Sequence, residues 1–243
     1  MRIPRPSLVL MGLPLLVALV LPAAATARPV LRHGAPNHRI TRSTSTNWAG
    51  YAATGGHFTS VSATWTQPAA SCTSTTAYSS FWVGLDGYSS NTVEQTGTDA
   101  DCSGGSPVYY AWYEMYPKFP KNLSLAIHPG DTIHASVTTN GNGTFTLSIS
   151  DRTTGGSFTT NQKLRSAKLS SAEVIAEAPS SSGGVLPLTN FGTVGFSGAT
   201  VNGQAIGTFN PDKITMVAAD GTVKASPSSL SGGNAFSVIW KHA

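Results

Sequence analysis

Charge is scarce in this sequence. Asp, Glu, Lys and Arg make up 11% of its 243 residues, about half the ~25% of an average soluble domain, and Ser, Thr and Gly take their place. The net charge of +4 does not point to nucleic acid. Six arginines (Arg2, Arg5, Arg28, Arg32, Arg39 and Arg42) precede Ser43, and the rest of the chain sets nine Lys and Arg against eleven Asp and Glu. No basic stripe with interleaved aromatics remains to follow a phosphate backbone. Familiar catalytic signatures are missing as well. There is no H-E-x-x-H, no metal-ligand spacing among His57, His128, His134 and His242, and "GFSGA" around Ser197 lacks the last glycine of a nucleophile elbow. Beyond the N-terminal leader no apolar run is long enough to span a membrane. No segment keeps a helical period either, which leaves β-structure.

The first 27 residues have the layout of a secretory signal peptide: Arg2 and Arg5, an apolar run from Leu8 to Leu21, then Ala25-Thr26-Ala27. They predict a secreted, extracellular protein, free of the membrane once the leader is removed. Residues 28–43 are basic, contain proline and show no period; they read as a pro-segment or linker. The chain has only two cysteines, Cys72 and Cys102. In an oxidising compartment an even pair predicts a disulfide rather than a reactive thiol.

From Thr44 to the C-terminus the sequence breaks into short β-type runs bounded by Gly, Asn, Asp or Pro, among them "FTSVSATWTQP", "SSFWVGLDG", "VYYAWYEMYP", "LSLAIHPG", "DTIHASVTT" and "GTFTLSISD". Asn140-Gly141 marks a hairpin between the last two. "LRSAKLSSAEVIAEA" reads as one helical turn leading into a strand. Asp99-Ala100-Asp101 reads as a loop. Many short strands with regular turns, no internal repeat and no second boundary predict a single β-sandwich domain over 44–243.

Alternate residues of a strand share a face. Trp82, Gly84 and Asp86 then point one way. So do Tyr110, Trp112, Glu114 and Tyr116; Val93 and Gln95; and Glu173, Ile175 and Glu177. A face carrying Trp, Tyr, Asp, Glu and Gln makes a poor core and a good groove, although a solvated outer face would carry scattered polar residues too. Three functions fit such a groove. A peptidase is one. A glycosidase using Glu114 and Glu173, with Trp82 and Trp112 as sugar platforms, is another. A non-catalytic module binding carbohydrate or peptide is the third.

The pieces "STNWAGY", "FTSVSATWTQP", "FWVGLDG", "VEQTGTD", "YAWYEMYP", "HPGDTIHASV", "SAEVIAEAP" and "NFGTVGF" occur in the order and with the spacing of the glutamic peptidases, the eqolisin family, which this chain resembles from about Thr46 to Asp220. The resemblance implies a lectin-like (concanavalin-type) sandwich of two antiparallel sheets. It also implies an acid endopeptidase acting on polypeptides. A monomer is expected, with no cofactor and no metal. By the same resemblance Gln95 and Glu173 are the catalytic pair, and Trp82, Asp86 and Glu114 line the site, with Asp86 placed to orient one of the pair. Trp112, on the strand face of Glu114, is expected to bind substrate as well. Two positions depart from the family pattern: Tyr110 stands where an Asp is frequent, and Ser171 replaces the usual Asn.

Overall fold

The computed structural model describes Met1 and residues 31–33, 40 and 43–243; the rest of the leader and most of the basic segment lie outside the described residues. Thirteen strands of five or more residues build the fold: β1 Trp48–Thr54, β2 Ser60–Thr66, β3 Ser80–Leu85, β4 Val93–Ser103, β5 Ser106–Tyr116, β6 Thr132–Thr139, β7 Thr144–Asp151, β8 Ser157–Lys163, β9 Ser171–Glu177, β10 Thr193–Val201, β11 Asp212–Val217, β12 Val223–Pro227 and β13 Phe236–Trp240. Hydrogen bonding runs in the order β8-β7-β6-β2-β10-β13-β12-β11-β1-β9-β3-β4-β5. The path folds back on itself at β11, which pairs with β12 in one layer and with β1 in the other. The pairs along this path are antiparallel. The result is the all-β, two-layer sandwich expected.

The main core fills the space between the layers. Val83, Leu85, Ala172 and Val174 from one side meet Val61, Ala135, Leu147 and Phe196 from the other, all buried. Burying a side chain of this size stabilises the fold by about 1.5–3 kcal/mol. Asn140-Gly141 does turn the β6–β7 hairpin, with Gly141 at φ +84°. Cys72 and Cys102 are joined, with Cα atoms 5.4 Å apart.

Three local readings differ from the structure. "LSLAIHPG" forms no strand; the short strand Lys121–Asn122 ends just ahead of it. The stretch before β9 contains a turn at Arg165–Ser166 rather than a helical turn. Asp99-Ala100-Asp101 is not a loop: it lies inside β4 with all three residues buried. Each departure involves polar or proline-containing chain whose state is decided by what covers it.

Candidate active site

A second apolar cluster occupies the other face of the β1-β9-β3-β4-β5 layer. Trp48, Ala52, Trp82, Val93, Trp112, Tyr116, Ile175 and Ile214 belong to it, and all are buried. Trp48 and Trp82 meet edge to face at 5.0 Å. This is the face on which the alternation argument put Trp82, Trp112, Gln95 and Glu173.

Strand register arranges that face in rows. Glu114 stands opposite Gln95, Gln95 opposite Gly84, Gly84 opposite Glu173, and Glu173 opposite Ala52. The row two residues along holds Trp112, Gly97, Trp82 and Ile175, and the next holds Tyr110, Asp99, Ser80 and Glu177. Gln95 and Glu173 are thus two strand spacings apart, about 10 Å between backbones. Only a glycine stands between them. A Cβ at Gly84 would come within 3.0 Å of both the Gln95 Cβ and the Trp82 ring, so this glycine keeps the floor between the two side chains open.

Glu173 is fully buried, and neither of its carboxyl oxygens has a hydrogen-bond partner among the described residues. Burial pushes its pKa well above the ordinary carboxylate range. The nearby Ser171 hydroxyl and Tyr88 amide oppose that rise, and the charges of Asp86 and Glu94 add to it. The carbonyl oxygen of Gln95, Oε1, is likewise buried and unpartnered. A carboxyl and an amide that keep free polar atoms on one row of the sheet have capacity left for a substrate.

Asp86 follows directly on β3 and is fully buried. Its backbone takes φ +68° just past β3, and its carboxylate turns to the chain ahead of β9 rather than into the groove. The amides of Lys168 and Leu169 donate to Oδ2 at 2.7 and 2.8 Å; the Ser170 amide and hydroxyl donate to Oδ1 at 2.9 and 3.0 Å. Asp86 therefore fixes the entry to β9, and with it Glu173, three residues beyond Ser170. Ser171 joins the same turn: its carbonyl accepts from the Asp86 amide at 3.0 Å and its hydroxyl from the Tyr88 amide at 3.4 Å.

His33 was not singled out in the sequence, yet it lies in the site. It is 1% exposed. Its amide donates to Glu114 Oε2 at 2.9 Å, and its carbonyl accepts from Gln95 Nε2 at 2.8 Å. The imidazole stacks on Trp112, 3.7 Å between centroids and 6° from parallel. Nδ1 lies 3.2 Å from Glu114 and Nε2 3.4 Å from Asp99. Burial lowers the His33 pKa, but the Asp99 charge and the bonds to Asp99 and Glu114 outweigh it and push the pKa up to about 10. Burial raises Glu114, and the contacts with His33 and the Arg32 charge offset part of that rise. Arg32 pairs backbone to backbone with Ser180, its amide donating at 2.8 Å and its carbonyl accepting at 2.9 Å, and its guanidinium lies 4.5 Å from the Phe119 ring centroid.

Asp99, Asp101 and Tyr110 form the wall behind His33. Trp112 Nε1 donates to Asp99 at 2.5 Å, and the Tyr110 hydroxyl lies 2.8 Å from both Asp99 and Asp101. A phenol has one proton to give, so one of these two contacts needs a proton from a carboxyl. Asp101 supplies it: burial first, then the charge of Asp99, holds its pKa well above the ordinary range. This is where Tyr110 replaces the family's frequent Asp. The period-two signal for the wall was in the sequence, since Gln95, Gly97, Asp99 and Asp101 share one parity. The hydrogen bonds of Trp82 go elsewhere: its Nε1 donates to Glu177 at 2.7 Å.

The family model for peptidase A4 matches residues 46–240. The chain belongs to the peptidase A4 family. It is 39% identical over 111 residues to scytalidopepsin B of Scytalidium lignicola, a match that covers 45% of this chain and 41% of that protein. Against aspergillopepsin-2 of Aspergillus niger it is 30% identical over 189 residues, covering 67% of each. Among solved structures, scytalido-glutamic peptidase with a transition-state-analogue inhibitor superposes with a TM-score of 0.72 at 27% identity, over 81% of this chain and 98% of that one. Aspergilloglutamic peptidase from Aspergillus niger superposes with a TM-score of 0.61 at 28% identity, over 68% of this chain and 99% of that one.

Proposed function

We propose that this peptidase A4 family chain is a secreted endopeptidase that works in acid, with Glu173 as general base and Gln95 as oxyanion donor. The observation that carries this reading is the row Gln95–Gly84–Glu173, an amide and a carboxyl facing each other over an open floor. Glu173 takes a proton from water as the water attacks the scissile carbonyl, then returns it to the departing amine. The Gln95 amide donates to the forming oxyanion and stays neutral at every working pH. Its present acceptor is itself a peptide carbonyl, that of His33. Gln95 stands between Glu114 and Glu173 in the row, which weakens the pairing of those two acids as a glycosidase would need it.

Burial holds the Glu173 pKa well above the ordinary carboxylate range. Glu173→Gln should abolish hydrolysis of an unfolded protein, and Gln95→Ala should lower it about 10²–10³-fold, both with unchanged circular dichroism. Wild-type turnover in either folded variant refutes the pair.

The basic segment 28–43 acts as an inhibitor in this reading. Among the described residues of the segment, His33 lies against the groove face and accepts from the Gln95 amide, with Arg32 beside it. The hold weakens once Glu114 and its neighbours are protonated in acid. Protein beginning at Arg28 should therefore be less active near neutral pH than protein beginning at Thr44, with the gap closing in acid. Equal activity of the two forms at every pH would leave the segment a linker.

A further inference from the structure

We infer that Glu94, in the core behind the groove, is an off-switch: when it gives up its proton, the start of β4 leaves the core, Asp86 releases the chain ahead of β9, and the Gln95–Glu173 row comes apart. The effect on turnover rests on the roles proposed for Gln95 and Glu173; the opening itself does not.

Strand register sets Glu94 in an apolar row on the inner face of its layer. Met115 stands on one side of it and Leu85 on the other, with Ala172 and Ala53 beyond Leu85. These four are buried members of the main core. Glu94 is 0% exposed, and neither of its oxygens has a hydrogen-bond partner among the described residues. A carboxyl so placed is tolerated when neutral and costly when charged. Burial, then the Asp86 charge, pushes its pKa up to about 9. Thr92 offsets part of the rise, although its hydroxyl also makes no hydrogen bond.

The groups around Glu94 give its charge no relief. Asp86 ends β3 and Glu173 lies on β9, and both are acids. On the core face of β5 the titratable group is Tyr113, two residues from Met115. Across the core, β6 and β7 bury Val137, Phe145 and Leu147. Asp151, at the end of β7, is taken up by its own turn through Thr153 and Thr154. Arg165 and Lys168, ahead of β9, are exposed.

A charged Glu94 therefore has to reach water, and its proton goes to solvent. The short way out is local. Glu94 is the second residue of β4, and the turn before it is exposed at Ser89 and Asn91. Asp86 stands at the other foot of that turn, and its carboxylate accepts from the amides of Lys168, Leu169 and Ser170. Lifting the turn pulls this clamp away from the entry to β9, which carries Glu173. Gln95 follows Glu94 directly in the chain. One proton lost behind the sheet thus disturbs both partners in front of it.

The direction with pH follows from the raised value. The closed form is fully favoured below the pKa of a solvated glutamate, about 4.3. It loses about tenfold per pH unit as pH rises from there toward about 9, and levels off beyond. The site is kept assembled in acid and loosened outside it.

Hydrogen exchange read by mass spectrometry tests this on the full secreted chain as wild type, Glu94→Gln and Glu94→Leu, between about pH 5 and 9. Leucine matches the apolar row, so a fold that rejects the glutamine amide still leaves a variant to measure. Protection of residues 86–96 and 168–173, corrected for intrinsic exchange, should fall about tenfold per pH unit in the wild type. It should stay level in the variants, and β6 and β7 should stay protected in all three chains. Turnover of an unfolded protein, equal in acid, should fall about tenfold or more below that of Glu94→Leu by pH 9. The basic segment is the same in each chain and cancels from that ratio. Level protection in the wild type, or the same fall in both variants, overturns the switch. Falling protection with a constant turnover ratio overturns its control of activity. No turnover in any chain, with the difference in protection present, removes the peptidase reading and upholds the opening.

Discussion

In β6 and β7 buried residues alternate with half-exposed ones for most of the strand; in β9 all seven residues are buried. The outer layer follows the simple rule of a sheet with one wet face: "TFTLSISD" buries Phe145, Leu147 and Ile149, and Thr146 and Ser148 bond to Asn161 and Thr159 on the neighbouring strand. In the other layer "SAEVIAE" buries two glutamates beside Val174 and Ile175. Leaving polar groups out of water costs stability unless they are paired or neutral. A layer that does so on its groove face, where Glu173 keeps free oxygens, departs from the rule at the place where chemistry is proposed.

Glycines give the sharpest way to test that difference. In the groove layer, Gly84→Ala would press its new methyl against the Gln95 Cβ and the Trp82 ring at 3.0 Å. It should cost about 1–3 kcal/mol of stability and about 10²-fold in turnover, since the two reacting side chains are pushed apart. In the outer layer, Gly195 in β10 is exposed, and a methyl there would meet nothing nearer than Ser237 Oγ at 3.9 Å. Gly195→Ala should stay within about 0.5 kcal/mol with unchanged turnover. Thermal melts and kinetics on the two variants decide it; equal effects would mean that the groove floor has no special role.

The layers also differ in how they respond to pH. Glu94 is fully buried beside the core, and neither of its oxygens has a hydrogen-bond partner among the described residues. Burial first, then the Asp86 charge, pushes its pKa up to about 9. A carboxyl that is neutral when folded contributes most below its unfolded pKa of about 4.3. That contribution is lost as pH rises toward the folded value, by at most about 1.4 kcal/mol per pH unit. Glu173, Glu114 and Asp101 shift the same way. The fold should therefore be most stable in acid and weaken steadily through neutral pH. Glu94→Gln should flatten that decline, with melting temperatures across pH 4–9 as the measure. An unchanged slope would assign the decline to the other carboxyls.

The outer layer was legible in the sequence because one of its faces meets water and writes its period into the residues. The Asn140-Gly141 turn and the strands around it follow from that. Parity also carried the groove: Trp82, Trp112, Gln95 and Glu173 do share a face. At Asp86 parity stops being a guide, because the chain leaves the strand there at φ +68°. Asp99 and Asp101 were read as a loop because two acids two residues apart are rarely buried, and nothing local shows that Trp112 and Tyr110 satisfy them. His33 lay beyond reach for a different cause. It sits in an irregular basic stretch, 62 residues from Gln95, and only the folded groove gives it partners.

The Cys72–Cys102 bond ties off a length of chain that contains the whole of β3 and nearly all of β4, and with them Trp82, Gly84 and Gln95. Between those strands lies the turn at Ser89–Asn91, exposed at Ser89 and Asn91. A backbone nick there would separate nothing: both pieces remain covalently tied at the far ends of the loop and stay zipped to each other and to β5 and β9. This exposed turn between the two strands is thus one whose severing does not dismantle the groove.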